Sequence, residues 1–174
     1  MKKIIAAALI GTMIFAVSGC KGEEKEVHDI SINVNEPKEE AKEEVTSVDA
    51  ASLAKSLVSD ISYDDQLSEV DLDTAKMFLN FADVDIAEAY IYESSGATAE
   101  EVVVLVCKDS DNAAKAKTAF EQRVEEQTEN FTDYVPEEVP KLNSAVVAVK
   151  DVYAVLSVSE DSSKAKEVVI AGLK

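Results

Sequence analysis

The side chain best suited to grip an anion is Arg123, the only arginine among the 174 residues of the chain. Its planar guanidinium offers N–H donors in a fixed fork that matches a carboxylate or a phosphate. Gln127 follows at i+4 and Phe131 at i+8, so a helix places the three on one face, onto which the loop around Tyr134 can fold back. Arg123, Gln127 and Tyr134 are therefore candidate binding residues. The alternative is that Arg123 pairs with a neighbouring carboxylate or caps the carbonyls of that loop.

A second candidate surface is a strip of alternating residues on one predicted strand. Glu88, Tyr90 and Tyr92 share one face of a strand that the alternation predicts over residues 87–93. If helices cover only one side of the sheet, this strip is exposed and can bind a peptide, a glycan or a protein. The alternative is that the two aromatic rings pack beneath the N-terminal helices.

Metal and catalytic chemistry have less support in the sequence. The Asp-rich turns lack the glycine and the distal glutamate of a calcium loop, and helix caps or solvated turns explain them better. His28, the only histidine, lies in a segment that we predict to be disordered, and Cys107 ends an apolar run that predicts a buried, unreactive thiol. We therefore expect no metal, no cofactor and no enzymatic activity. A small hydrolase that uses paired carboxylates is the less favoured alternative.

The first twenty residues have the pattern of an export signal. Two lysines precede an apolar stretch over residues 4–17, which is shorter than the roughly 20 residues that span a bilayer as a helix. The stretch leads into Val17-Ser18-Gly19-Cys20, which resembles the bacterial lipobox, where the cysteine thiol receives a diacylglyceryl group. Residues 1–19 are therefore predicted to be a lipoprotein signal peptide, and Cys20 to anchor an exported protein to the outer face of the cell membrane. An ordinary cleaved signal and an uncleaved anchor are the alternatives.

Residues 20–47 are predicted to be the lipidated cysteine and a disordered acidic tether. From residue 21 to 47 the chain has nine acids, four lysines and no aromatic residue, so it buries too little to offset its ordering entropy. Residues 30–34 alternate and could form a short strand, but no second strand lies nearby in the sequence. The whole chain carries a formal net charge of −18, which repels phosphate backbones and argues against a nucleic-acid partner.

Residues 48–174 have the periodicity of a single α+β domain. Thr46 and Ser47 are cap candidates for the first helix, Asp71 or Asp73 for the second, and Asp109 or Ser110 for the third. The prolines around residues 134–140 predict a loop. We expect a single antiparallel sheet of about four strands in a β-β-α-β-β-α order, with helices packed mainly on one face and one or two helices in front. The predicted helices are 48–59, 73–81, 111–130 and 161–171, and the predicted strands are 87–93, 101–107, 144–150 and 152–159.

Several of these features occur together in one family. They are the lipobox-like start, the acidic tether, Asp109-Ser110-Asp111 after the apolar strand, the stretch from Arg123 through Glu137, and a strand pair that ends in Val158-Ser159-Glu160-Asp161. Over residues 48–172 the chain resembles the domain of unknown function 4358 family. That resemblance implies a small secreted or lipid-anchored bacterial protein. The family has no established activity, substrate or cofactor, so it supplies no catalytic residues.

The sequence favours a lipid-anchored, non-catalytic domain that binds a protein or a glycan of the cell envelope. The expected surface is either the open sheet face or the region from Arg123 to Pro140. A small-molecule or peptide receptor that serves a membrane transporter is the alternative. The sequence predicts no oligomeric state.

Overall fold

The computed structural model describes residues 28–31 and 48–174. The strands are β1 (His28–Ser31), β2 (Ser68–Val70), β3 (Ile86–Glu93), β4 (Glu101–Cys107), β5 (Val146–Lys150) and β6 (Tyr153–Val158). The helices are α1 (Ala50–Asp60), α2 (Leu72–Ala75), α3 (Ser110–Tyr134), α4 (Val139–Asn143) and α5 (Ser162–Gly172), with a 3-10 helix at Pro136–Glu138 before α4.

The strands form one open sheet in the order β1-β5-β6-β4-β3-β2. The strands from β5 to β2 pair antiparallel, and β1 adds to β5 in parallel. The predicted α+β class with a single antiparallel sheet and an N-terminal helix is confirmed. The antiparallel part has five strands rather than four, because the short strand β2 pairs with the end of β3.

Helices cover both faces of the sheet, which corrects the expectation that they lie mainly on one. The α3-side core combines Phe120 of α3 with Val103 and Leu105 of β4. The α1-side core combines Leu57 of α1 with Val102, Val104 and residues of α5. Because β4 is continuously apolar, both of its faces need cover, and a helical layer on each side provides it.

Aspartates cap four of the five described α-helices at their N-termini. The side chain of Asp49 accepts a hydrogen bond from the Ser52 N–H at the start of α1, and Asp71, Asp109 and Asp161 cap α2, α3 and α5 in the same way. Asp71 and Asp109 are among the predicted caps. Asp49 takes the place predicted for Thr46 or Ser47, which lie outside the described residues.

Three helix boundaries differ from the sequence prediction. The helix predicted over 73–81 ends at Ala75, because the amides of Met77 and Phe78 bond three residues back and the chain then turns so that Phe81 enters the α3-side core. The helix predicted over 111–130 continues to Tyr134. The loop predicted over 134–140 contains the 3-10 helix and the start of α4, since a proline without an N–H fits the first turn of a helix.

One strand lies in the stretch predicted to be a disordered tether. The backbone of β1 pairs with β5 from His28 opposite Val146 to Ser31 opposite Val149. The sequence prediction found no partner strand nearby because β5 follows only after most of the folded domain. The rest of the tether and the signal peptide lie outside the described residues.

Candidate functional site

Arg123 lies at the centre of a cluster of polar side chains between α3 and the end of the β3–β4 hairpin. Its Nε donates to Oε2 of Glu101 at 3.2 Å, and one terminal nitrogen lies 3.8 Å from Oε2 of Glu93. The side chain of Arg123 is only 14% exposed, and that of Glu101 only 2%. The guanidinium therefore neutralises carboxylates of its own chain.

Gln127 and Phe78 complete the surroundings of the guanidinium. With its amide oxygen turned towards Arg123, Gln127 accepts from both terminal nitrogens, at 2.9 and 2.6 Å. The ring of Phe78 lies over the guanidinium at 5.2 Å from carbon to ring centroid, a cation–π distance. Every part of the fork thus has a partner within the domain. This arrangement matches the alternative in which Arg123 pairs internally, and it leaves no free fork for an anionic ligand.

Glu93 and Glu101 are opposite residues of β3 and β4, and they form a buried carboxyl pair. Burial, together with the charge of Glu101, raises the pKa of Glu93 to about 9, against the opposing effect of Arg123. Burial also raises the pKa of Glu101, while Arg123 and a hydrogen bond to Glu93 lower it. As carboxylates, both would leave Oε1 buried without a hydrogen-bond partner. A proton held by Glu93 and donated to Glu101 satisfies both groups.

Tyr134 stands apart from this cluster. It is the last residue of α3, eleven residues beyond Arg123, or about 16 Å along the helix axis. Its side chain is exposed (82%). Phe131 is buried in the α3-side core. The structure brings Arg123 and Gln127 together and leaves Tyr134 at the surface.

The predicted strip of Glu88, Tyr90 and Tyr92 lies on the α1 side of the sheet. Glu88 is exposed, whereas both tyrosines are half-buried and pack against the α1-side core. The hydroxyl of Tyr90 donates to Oε2 of Glu88 at 2.9 Å. The sequence offered two interpretations, an exposed strip and rings packed beneath the N-terminal helices, and the structure combines them. The tyrosine rings pack against the core, while their hydroxyl ends lie at the surface.

Two further carboxylates lie beside these tyrosines. The hydrogen bond to Glu88 and the charges of Glu88 and Asp49 raise the pKa of Tyr90. Burial and the charge of Glu69, the cross-strand partner of Tyr92, raise the pKa of Tyr92. We call Glu88, Tyr90, Tyr92, Asp49 and Glu69 the tyrosine strip.

A second charge cluster surrounds Lys141 and connects three separate segments of the chain. Its ammonium donates to Asp64 at 2.6 Å, to Glu138 at 3.0 Å and to Glu100 at 3.1 Å. Burial alone would lower the pKa of Lys141, but the three hydrogen bonds outweigh the effect of burial and raise the pKa. Glu100 also accepts from the backbone N–H groups of Asp64 and Asp65, so both of its carboxylate oxygens have partners. The cluster holds these segments together, and of its side chains Asp64 alone is largely exposed.

A groove of about 370 Å³ runs between α1 and α5. Leu53, Val168 and Ala171 supply apolar surface, while Asp49 and Asp60 are polar members of the lining. A smaller depression of about 250 Å³ lies beside α3 and includes Lys115 and Gln122.

Other potential reactive groups are few in the described part of the chain. Cys107 is buried, and burial together with the charge of Asp109 raises the pKa of its thiol to about 11. Within residues 28–31 and 48–174, no group of three or more His, Cys, Asp or Glu side chains is arranged to hold a metal ion. None of the helices in these ranges is long and apolar enough to cross a membrane.

The sequence analysis missed the carboxylates that engage Arg123 and the whole Lys141 cluster. A signal for the first was present, since Glu93 ends one strand and Glu101 begins the next, so a hairpin places them opposite each other. Of the partners of Lys141, Glu138 is only three residues away, but Asp64 and Glu100 are 77 and 41 residues away and gave no local signal.

The fold and these clusters define an α+β domain whose sheet is covered on both faces and whose Arg123 and Lys141 side chains are engaged by carboxylates of the same domain. The chain matches the family described as Domain of unknown function (DUF4358) over residues 59–159, and it belongs to that family. No curated protein and no solved structure matches the chain.

Proposed function

We propose that this protein is a lipid-anchored, non-catalytic domain on the outer face of a bacterial membrane, where it binds a protein of the cell envelope through the tyrosine strip. The observation that carries the binding role is the strip itself, in which two half-buried tyrosines lie among exposed carboxylates. Tyrosine is enriched in binding surfaces because a rigid ring with a polar end loses little entropy on contact.

The anchor rests on the sequence of the first twenty residues. The short apolar stretch ends at Val17-Ser18-Gly19-Cys20, and a diacylglyceryl group on Cys20 would hold the protein on a membrane stably. The acidic stretch that follows would separate the domain from the lipid surface.

The non-catalytic role is supported by the state of the described polar clusters. A catalytic carboxyl pair must reach its substrate, but Glu93 and Glu101 have side chains only 15% and 2% exposed and are engaged by Arg123. Glu100 and Glu138 are bound to Lys141. These carboxylates are explained by their internal partners.

Helices on both faces of the sheet limit which surfaces can bind a partner. An open sheet face is absent from the described domain because helices cover both sides. The fork of Arg123 is occupied by Glu101, Glu93 and Gln127. Of the surfaces expected from the sequence, the tyrosine strip and exposed Tyr134 remain available. The strip combines two aromatic rings with three carboxylates, so it offers more kinds of contact than Tyr134 alone.

A receptor for a small ligand is a second candidate because of the groove between α1 and α5. Its volume of about 370 Å³ falls within the range of small-molecule sites, and its lining mixes apolar and polar groups. A ligand in this groove would raise the melting temperature of the domain, and Ser56→Trp would fill the groove and abolish that rise.

The anchor is tested by expressing the full chain in a bacterium that lipidates exported proteins. Metabolic labelling with a clickable fatty acid should mark the wild-type protein and not Cys20→Ala, and only the wild type should partition into detergent. Equal labelling of both proteins would contradict the proposed anchor.

The binding surface is tested by chemical crosslinking on intact cells with the anchored protein. Tyr90→Ala combined with Tyr92→Ala should abolish a reproducible crosslinked partner, while Tyr134→Ala should retain it. Melting temperatures would check that the double variant folds, and Glu88→Gln offers a gentler change at the same surface. Retention of the partner in both strip variants, with its loss in Tyr134→Ala, would place the binding surface at the end of α3 instead.

A further inference from the structure

Part of β3 is a sheet edge without a neighbouring strand. β2 pairs with only the last three residues of β3, Ile91–Glu93. After Val70 the chain leaves the edge at Asp71, which caps α2, and Ala75 of α2 packs into the α3-side core. Within residues 28–31 and 48–174, no strand pairs with the outer side of Ile86–Tyr90.

The two faces of this free edge have different chemistry. Glu88 and Tyr90, which belong to the tyrosine strip, point to the α1 side. Ala89 packs against the α3-side core, on the opposite face. A strand added here would therefore place alternate side chains against an acidic, aromatic surface and the others against an apolar one.

The charge on the strip side selects the kind of strand that fits. Glu88 accepts the hydrogen bond of the Tyr90 hydroxyl, and Glu69 lies opposite Tyr92 in the β2–β3 pair. The charge of Asp49 also acts on Tyr90. Lysine and arginine match both groups, by ion pairing with the carboxylates and by cation–π contact with the rings. An acidic segment would be repelled there.

We propose that the free edge at Ile86–Tyr90 accepts an extended segment of a partner protein that carries lysine or arginine at every second residue and apolar residues between them. This inference rests on the proposed function and specifies the partner of the same surface. The backbone of the segment pairs with β3, and its cationic side chains lie over the tyrosine strip.

The same features disfavour pairing with a second copy of the chain. An edge charge such as Glu88 is a common defence against edge-to-edge association between copies of one chain. Two copies, each with a net charge of −18, would also repel each other. The charge at this edge therefore favours a cationic segment over a second copy of the acidic chain.

The test uses the mature chain from residue 20 onward, with Cys20→Ser for solubility, and a blocked hexapeptide of alternating lysine and valine. Amide chemical shifts are followed by NMR during titration to millimolar peptide. We expect shifts concentrated at Glu88–Tyr90, no binding of a glutamate and valine hexapeptide, and weaker binding at high salt. Methylation of alternate peptide nitrogens that face β3 should weaken binding at least about 5-fold, because strand pairing needs those N–H donors.

A matched pair of variants tests the role of charge. Glu88→Gln should weaken binding of the lysine and valine peptide about 3-fold or more, whereas Glu126→Gln, which removes an exposed carboxylate from α3, should leave it unchanged. Equal binding of the acidic peptide, shifts at Val146–Val149 instead of at β3, or no binding at all would overturn the inference.

The outcomes separate this inference from the proposed function. A cellular partner that is lost in the strip variants, together with no peptide binding in solution, would overturn the strand-addition mode and leave the proposed function standing. Peptide binding at Glu88–Tyr90 without any strip-dependent partner in cells would support the edge as a strand acceptor and contradict the proposed cellular role.

Discussion

Glu93 and Glu101 lie directly opposite each other on β3 and β4, and the guanidinium of Arg123 contacts both carboxyl groups. Burial raises the pKa of both groups. One cation cannot compensate two buried carboxylates, so protonation of Glu93 brings the cluster to charge balance. The cluster ties the β3–β4 hairpin to α3. On the opposite face of β3, the neighbouring residue Tyr92 belongs to the tyrosine strip and packs against the α1-side core.

The raised pKa of Glu93 makes stability depend on pH. A folded-state pKa of about 9 for Glu93, against an ordinary value of 4.5, means that the folded protein keeps a proton that the unfolded chain releases. The contribution of Glu93 to the free energy of unfolding therefore falls as pH rises from about 4.5 to about 9. Glu93→Gln mimics the protonated form and should flatten this decline in melting curves recorded from pH 5 to 9. Parallel wild-type and variant curves would show that Glu93 is ionised in the fold.

Lys141 should be essential for stability, since its three carboxylate partners would otherwise repel one another in a largely buried site. Lys141→Met is expected to lower the free energy of unfolding by about 3 kcal/mol in urea denaturation. Lys55→Met, at an exposed position of α1, serves as the control and should change it by less than about 0.5 kcal/mol. A small effect at Lys141 would mean that the cluster relaxes or admits water when the ammonium is removed.

Docking of β1 should protect the edge of β5. Asp29→Pro combined with Ile30→Pro removes backbone donors from β1, so amide hydrogen exchange in Val146–Val149 should speed up. Glu40→Pro with Ala41→Pro alters charge and proline content equally and should leave exchange in β5 unchanged. Identical exchange in both double variants would argue that β1 does not hold the edge.

Cys107 should be inert in the folded protein. Its thiol is buried, with a pKa raised to about 11, so little thiolate exists at neutral pH. In Cys20→Ala, where Cys107 is the sole thiol, Ellman's reagent should react at the rate of unfolding and become fast in urea. Rapid reaction without denaturant would show that β4 opens locally at its end.

Most elements could be predicted from periodicity, but their arrangement required information from distant parts of the chain. The continuous apolar run of β4 indicated burial on both faces, yet it did not show which helix covers each face. α1 and α5 come from opposite ends of the domain and meet on one side. The pairing of β1 with β5 has the same origin, since it depends on a strand far along the chain.

The candidate surfaces could be predicted only where neighbouring residues of one strand determine them. The alternation of Glu88, Tyr90 and Tyr92 fixed their common face from local sequence alone. The partners of Arg123 depended on the register of a hairpin and on the position of α3. The free edge of β3 was not predicted because β2 has only three residues, too few to give a pattern.

The central claim is that the tyrosine strip is the surface through which the anchored domain binds its partner. The most direct measurement places a photoreactive benzoylphenylalanine at the exposed position 87, next to Glu88, or at position 126 of the full chain and irradiates intact cells. We predict a discrete crosslinked partner from position 87 and none from position 126, with the partner's crosslinked segment rich in lysine or arginine. A partner captured equally from both positions, or only from position 126, would contradict the claim.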